Sequence, residues 1–153
     1  MNMLWSTNTY SDVASLALAG NEDKDNLKMF AGNLVTSQII VGDLRKKRMR
    51  PEAGLEVADT IAGKAPLTVS PNCDTFCCAN TLDTDILVYR SNSGTGWREV
   101  ARLKHHSDQI SGLAISPDSK RVAACGWDGV VSIWSLGLLL LSFLSTITRY
   151  DSY

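Results

Sequence analysis

The sequence predicts an all-β chain of about three small antiparallel sheets, and three observations predict it. Short apolar runs separated by turn-forming residues fill the stretch from Trp97 to Leu136. A fainter copy of that pattern lies upstream, with Glu56, Leu67 and Asp83 echoing Glu99, Leu113 and Asp128 at offsets of 43, 46 and 45 residues. Three strands with tight connections make a sheet too small to bury its own faces, so such copies gain a core only by stacking.

The first unit, residues 1–50, is the most diverged. Asp12 to Ala19 shows a period-two pattern, with Val13, Leu16 and Leu18 echoing Ile110, Leu113 and Ile115, and Gly20-Asn21 then takes the place of Pro117-Asp118. A polar insertion, Glu22 to Asn26, precedes Leu27 to Gly32. Leu34-Val35 and Gln38 to Leu44 complete the unit as strand-like runs.

The second unit, residues 51–96, lies on the third almost position by position. Leu67-Thr68-Val69-Ser70-Pro71-Asn72 matches Leu113-Ala114-Ile115-Ser116-Pro117-Asp118, and Asp83 to Tyr89 matches Asp128 to Trp134. Ser91 to Gly96 reads as a flexible loop without phosphate-binding glycine spacing.

The third unit, residues 97–136, carries the strongest signals. Ile110, Leu113 and Ile115 form a strand that ends at Ser116-Pro117-Asp118-Ser119, where proline presets φ and Asp and Ser bond to their own backbone. Val122 to Cys125 makes a second strand. Asp128-Gly129 then turns the chain into Val130 to Trp134, the signature of a β-hairpin. Residues 137–153 form an apolar tail with no further repeat, read as a buried strand, a short helix or a non-native tail. The interval Gly129 to Thr148 is uncharged and has the length of a membrane span, but a helix there would consume Ile133 and Trp134 and destroy the hairpin.

These residues resemble the WD40 repeat, the blade unit of a β-propeller. The places of the family's Gly-His pair, Ser-Pro-Asp-Gly turn, hairpin Asp and closing Trp-Asp hold His105-His106, Ser116 to Ser119, Asp128-Gly129 and Trp134-Ser135. Gly42 stands in the first unit where the family has a closing Trp. Gly126-Trp127-Asp128-Gly129 faintly resembles G-protein β-subunit-like members. The resemblance implies a partial WD40 β-propeller of about three blades, because a ring commonly takes about seven blades of roughly 40 to 45 residues, about twice this chain. It also implies a structural tetrad on His106, Ala124, Asp128 and Trp134; Ala124 has no hydroxyl, so the expectation is a hydrogen-bond chain broken in the middle.

The 153 residues carry a formal charge of −1 with 20% charged residues, so nothing in the bulk composition calls for a nucleic acid or an acidic surface. One exception is Arg45, Lys46, Lys47, Arg48 and Arg50, five basic residues in six ahead of Pro51. They read as a solvated loop between units, a nuclear-import signal or a phosphate-contacting patch. Cys73, Cys77, Cys78 and Cys125 suit free thiols, since adjacent Cys77 and Cys78 would point to opposite strand faces. The N-terminus shows neither the basic nor the apolar region of a secretory signal.

The residues assemble no catalytic, metal or cofactor constellation. His105 and His106 are the only histidines and no ligand-spaced cysteine pairs accompany them. Asp83, Asp85 and Asp128 read as turn-forming carboxylates, Tyr89 and Trp134 as packing between units, and Trp127 as an exposed interface anchor. The expected function is a non-catalytic protein-interaction scaffold, a fragment of a longer propeller or a subunit of a multiprotein complex, cytoplasmic or nuclear, without a small-molecule ligand. The alternatives are a nucleic-acid or ribosome-assembly protein using Arg45 to Arg50, and a membrane-tethered propeller using the apolar tail.

Overall fold

The computed structural model describes residues 13–20, 27–33, 38–43, 46, 48–56, 66–79, 84–92, 96–137 and 142–148, and all regular structure among them is strand. Sheet 1 runs in the order β1 (Val13–Ala19), β2 (Lys28–Asn33), β3 (Gln38–Asp43) and β4 (Arg48–Glu56). Sheet 2 comprises β5 (Leu67–Val69), β6 (Thr75–Ala79), β7 (Asp85–Asn92) and β8 (Gly96–Lys104). Sheet 3 comprises β9 (Ile110–Ile115), β10 (Arg121–Gly126), β11 (Val130–Ser135) and β12 (Ser142–Thr148). Every pairing is antiparallel between chain neighbours, so each sheet is a four-stranded meander. The first strands β1, β5 and β9 lie side by side in that order, and β4 meets β8 at the outer rim, which is the arrangement of propeller blades.

Sheet 2 is covered on both faces, and its sequence shows why. Phe76, Cys78, Leu87 and Tyr89 face sheet 1, where Phe30, Ile39 and Val41 meet them. Cys77, Ala79, Ile86 and Val88 face sheet 3, against Ile110, Val122, Ala124 and Leu136. A strand covered on both sides reads as a continuous apolar run rather than an alternating one, and all five residues of β6 are buried. Around Phe76 the ring of Tyr89 stacks at 4.7 Å, Trp97 approaches edge-on at 5.2 Å and Phe30 lies at 6.3 Å. Cys77 and Cys78 do point to opposite faces; burial pushes the Cys78 thiol up to about 12 and raises Cys77 as well, which leaves both protonated and unreactive.

The repeated turns adopt one conformation. Ser70 N–H donates to Thr75 O at 2.8 Å and Thr75 N–H donates to Ser70 Oγ at 3.0 Å. Ser116 N–H donates to Arg121 O at 2.9 Å and Arg121 N–H donates to Ser116 Oγ at 2.9 Å. In both turns the third residue after the serine, Cys73 or Ser119, has φ 59° and its N–H bonds the serine carbonyl at 2.8 Å.

Several boundaries differ from the sequence reading. The sheets span residues 13–56, 67–104 and 110–148, whereas the repeat units break at residues 50, 96 and 136, so each sheet takes its outermost strand from the start of the next unit. Part of the basic run is strand: Lys46 is an exposed turn residue, and Arg48 and Arg50 begin β4 opposite Asp43 and Val41. Pro51 continues that strand opposite Ile40, which a proline can do because β4 is a sheet edge. Ser91 and Asn92 belong to β7 and Gly96 to β8, so these three residues of the stretch read as a loop are strand.

Part of the apolar tail is strand. Residues 142–148 pair along β11, from Ser135↔Ser142 to Val130↔Thr148. This divides the uncharged interval between two strands of sheet 3, and among the described residues no helix is long and apolar enough to cross a membrane. Arg45, Lys47, Asp83, Leu34-Val35 and Glu22 to Asn26 lie outside the described residues.

Candidate functional site

The polar centre of sheet 3 is a hydrogen-bonded chain that crosses from the β8–β9 connection to β11. His106 Nδ1 lies 3.0 Å from Asp128 Oδ2 and 3.2 Å from Oδ1. His106 Nε2 lies 2.8 Å from Ser132 Oγ, and Trp134 Nε1–H donates to the same oxygen at 3.2 Å. A carboxylate only accepts, which places the proton of neutral His106 on Nδ1 and makes Nε2 the acceptor of the Ser132 hydroxyl.

Ser132 therefore corrects the sequence reading of a broken tetrad. Ala124 contributes nothing polar, but it sits directly across the β10–β11 ladder from Ser132. The hydroxyl has moved one strand over and the chain of bonds is closed. The available signal was the two-residue spacing of Ser132 and Trp134, which puts both on one strand face.

Asp128 also organises the turn that carries Trp127. Its Oδ2 accepts from Ser107 N–H and its Oδ1 from Val130 N–H, each at 3.0 Å. Burial pushes the Asp128 carboxyl up, but the Val130, Ser107 and His106 hydrogen bonds together hold it below the ordinary carboxylate range. Trp127 N–H donates to Gln109 O at 2.9 Å. Gly126 must be glycine, since a Cβ there would lie 2.8 Å from Asp128 Oδ1 and 2.9 Å from His106 Nδ1. A turn tied at so many points holds the Trp127 ring outward, 75% exposed.

The other candidates are dispersed. Lys46 pairs with Asp43 at 3.4 Å on the surface of sheet 1, in a different sheet from Trp127. Asp85 is not a turn carboxylate: it opens β7, is buried, and meets Lys104 Nζ at 3.2 Å and Arg102 Nη1 at 3.8 Å. Sequence reasoning missed that ion-paired cluster because its cations come from the next strand. Tyr89 and Trp134 do pack between sheets. Among the described residues no three His, Cys, Asp or Glu side chains gather as a metal site.

Sheets 2 and 3 are further tied at their ends. Arg90 Nη2 donates to the carbonyl of Leu136, and Ile115 N–H donates to Thr68 Oγ1 at 3.3 Å. A cleft of about 430 Å³ between the two Ser-Pro turns is lined by Asp74, Arg90, Asp118 and Lys120 among others.

Residues 97–135 match the family described as "WD domain, G-beta repeat". That interval runs from β8 through β11, so the repeat joins the rim of sheet 2 to three strands of sheet 3. The chain is 39% identical over 46 residues to a Chlamydomonas reinhardtii "Ribosome biogenesis protein WDR12 homolog", a match spanning 30% of the chain and 10% of that relative. It is 35% identical over 51 residues to the Xenopus laevis "Actin-related protein 2/3 complex subunit 1A-B", spanning 33% and 14%. Among solved structures, U3-55K superposes with TM-score 0.67 and 15% identity, covering 95% of this chain and 42% of that one. The WD40 repeats of RRP9 superpose with TM-score 0.68 and 15% identity, covering 95% and 41%. The matched regions thus span a small part of the curated relatives and less than half of the solved propellers. Residues 97–135 match the WD40 repeat, and the three four-stranded sheets have the fold of a partial β-propeller.

Proposed function

We propose that the chain is a non-catalytic protein-interaction scaffold whose contact surface is the end of sheet 3 that carries Trp127. The observation that carries this reading is the combination of a fixed turn and an exposed aromatic side chain. The backbone that carries Trp127 is already tied down before binding, and exposed aromatic side chains concentrate binding energy at protein interfaces. The polar groups around it are already engaged in holding the turn, which supports a positioning role rather than chemistry. Relatives named as a complex subunit and as a ribosome biogenesis protein fit a component of a larger assembly.

The test is a comparison of proteins recovered with the intact chain and with Trp127→Ala, with thermal melts as a folding control. Loss of specific partners at an unchanged melting temperature supports the reading; an identical set of partners overturns it.

A second reading, nucleic-acid association in ribosome assembly and a nuclear location, rests on the match to the ribosome biogenesis relative together with the basic run that includes exposed Lys46. Affinity for a single-stranded RNA that falls linearly with the logarithm of salt, and falls further in a variant with all five basic residues replaced by glutamine, is its signature.

A further inference from the structure

We propose that the cleft between the two Ser-Pro turns binds a phosphate monoester, carried on a phosphorylated side chain of a partner polypeptide or free as inorganic phosphate. This site is separate from Trp127. The Ser-Pro turn of sheet 3 enters β10 at Arg121, whereas the turn that carries Trp127 leaves β10 at Gly126, the opposite end of the strand.

Two cations are brought together there by one residue. Leu136 N–H donates to the Lys120 carbonyl at 2.7 Å, and Arg90 Nη2 donates to the Leu136 carbonyl at 2.5 Å. Leu136 is buried, so it fixes the end of β7 beside the β9–β10 turn, and both Arg90 and Lys120 line the cleft. Neither makes an ion pair with a carboxylate among the described residues. Arg90 faces another cation instead, since Arg98 stands directly opposite it on β8 and has no ion pair among the described residues either. Like charges opposite one another in a ladder repel, and a bound anion offsets that repulsion.

The two carboxylates of the cleft do not meet this need, because their own turns have taken them. Asp74 Oδ1 accepts from Ser70 Oγ at 3.1 Å and from Thr75 Oγ1 at 2.9 Å, and its Oδ2 accepts from Asn72 Nδ2 at 2.7 Å. Asp118 Oδ1 accepts from Ser116 Oγ at 2.5 Å and from Lys120 N–H at 3.0 Å. What the cleft has left to offer is donors and positive charge: the remaining N–H groups of Arg90, the Lys120 ammonium and the Ser91 hydroxyl.

Charge selects the occupant. Two uncompensated cations match the charge of about −1.5 to −2 that a phosphate monoester carries near neutral pH, and its oxygens suit the planar fork of Arg90. A carboxylate, or one phosphodiester of a nucleic acid, brings a single charge and leaves a cation unmet. Because Arg90 belongs to sheet 2 and Lys120 follows β9 of sheet 3, the bound group also ties the two sheets together.

An NMR titration of the full 153-residue chain with inorganic phosphate, against chloride at equal ionic strength, tests this. The wild type should show saturable shifts at the amides of Ser91, Ser119, Lys120 and Leu136; this readout needs no mutation. Lys120→Gln removes a charge from an exposed residue whose ammonium makes no bond among the described residues, so its melting temperature should stay that of the wild type. Its phosphate affinity should fall about tenfold, the loss of one charge-assisted hydrogen bond. A peptide with one phosphoserine should shift the same amides, its glutamate counterpart should bind more weakly and its serine counterpart not at all. A phosphopeptide that binds tighter than inorganic phosphate assigns the group to a partner polypeptide, and equal affinities assign it to free phosphate. Shifts that do not saturate, shifts of the same size at exposed Lys46, or an affinity unaltered in Lys120→Gln overturn the site. A glutamate peptide or a single-stranded RNA that binds there as tightly as phosphoserine overturns the monoester assignment.

Discussion

Ser132 and Ala124 face one another across β10 and β11, and the hydroxyl that joins His106 to Trp134 comes from the first. Ser132 is fully buried, so its removal takes from buried His106 Nε2 the hydroxyl that bonds it, in a place water does not reach. Ser132→Ala should therefore cost about 1–3 kcal/mol of stability. Adding Ala124→Ser to that variant should recover part of the loss, since it returns a hydroxyl to the neighbouring strand on the same face. Urea midpoints of the two variants check this; an unchanged midpoint in Ser132→Ala would remove the network from the account of stability.

The depressed Asp128 carboxyl gives the protein a pH dependence with a definite sign. Near the ordinary carboxylate pKa of about 4, the unfolded chain binds more protons at this site than the folded one does. Stability from this group is thus fully present above that range and is lost as pH falls through the folded-state value. Asp128→Asn should be less stable at neutral pH, and the difference from wild type should narrow as the solution is acidified. A gap that stays constant between pH 7 and pH 3 would contradict the linkage.

Ser119 holds φ 59° in a turn where a residue without Cβ is unstrained. Ser119→Gly relieves that strain at the expense of some extra freedom in the unfolded chain, for a net gain of about 0.5–1 kcal/mol. Ser119→Ala keeps the strain and should show no gain. Thermal melts of the pair distinguish relief of strain from loss of the long Ser119 to Asn72 contact at 3.4 Å.

Phe76 sits where three aromatic rings meet in the face that sheet 2 turns toward sheet 1. Phe76→Ala should destabilise by about 3–5 kcal/mol. Its counterpart Val122 lies in the other interface and is also fully buried, so Val122→Ala should cost less in proportion to its smaller side chain. Equal losses would mean that the two interfaces do not pack as separate clusters.

Much of the architecture was legible because turn chemistry repeats. Ser70-Pro71 and Ser116-Pro117 announce the same turn, and the structure builds it twice with the same hydrogen bonds. The unbroken apolar run Phe76 to Ala79 also makes sense once sheet 2 is seen to be covered twice. What the residues concealed were the outermost strands. Arg48 to Arg50 look like a solvated patch and residues 142–148 like a tail, yet both pair as rim strands, since an edge strand asks little of its side chains. The site was half legible: His106 bonds Asp128 directly and is joined to Trp134 through Ser132, while the hydroxyl was sought on β10 and lies on β11. A pattern read along the chain does not show which of two cross-strand neighbours supplies a group.

The central claim is that each sheet gains its core by lying face to face with the next, with sheet 2 in the middle. Amide hydrogen exchange, resolved by residue, measures this most directly. The account predicts the slowest exchange in Phe76 to Ala79 and Ile86 to Tyr89, and faster exchange in β10 and β11, whose outer face is less covered. Protection spread evenly over the three sheets, or greatest in sheet 3, would contradict it.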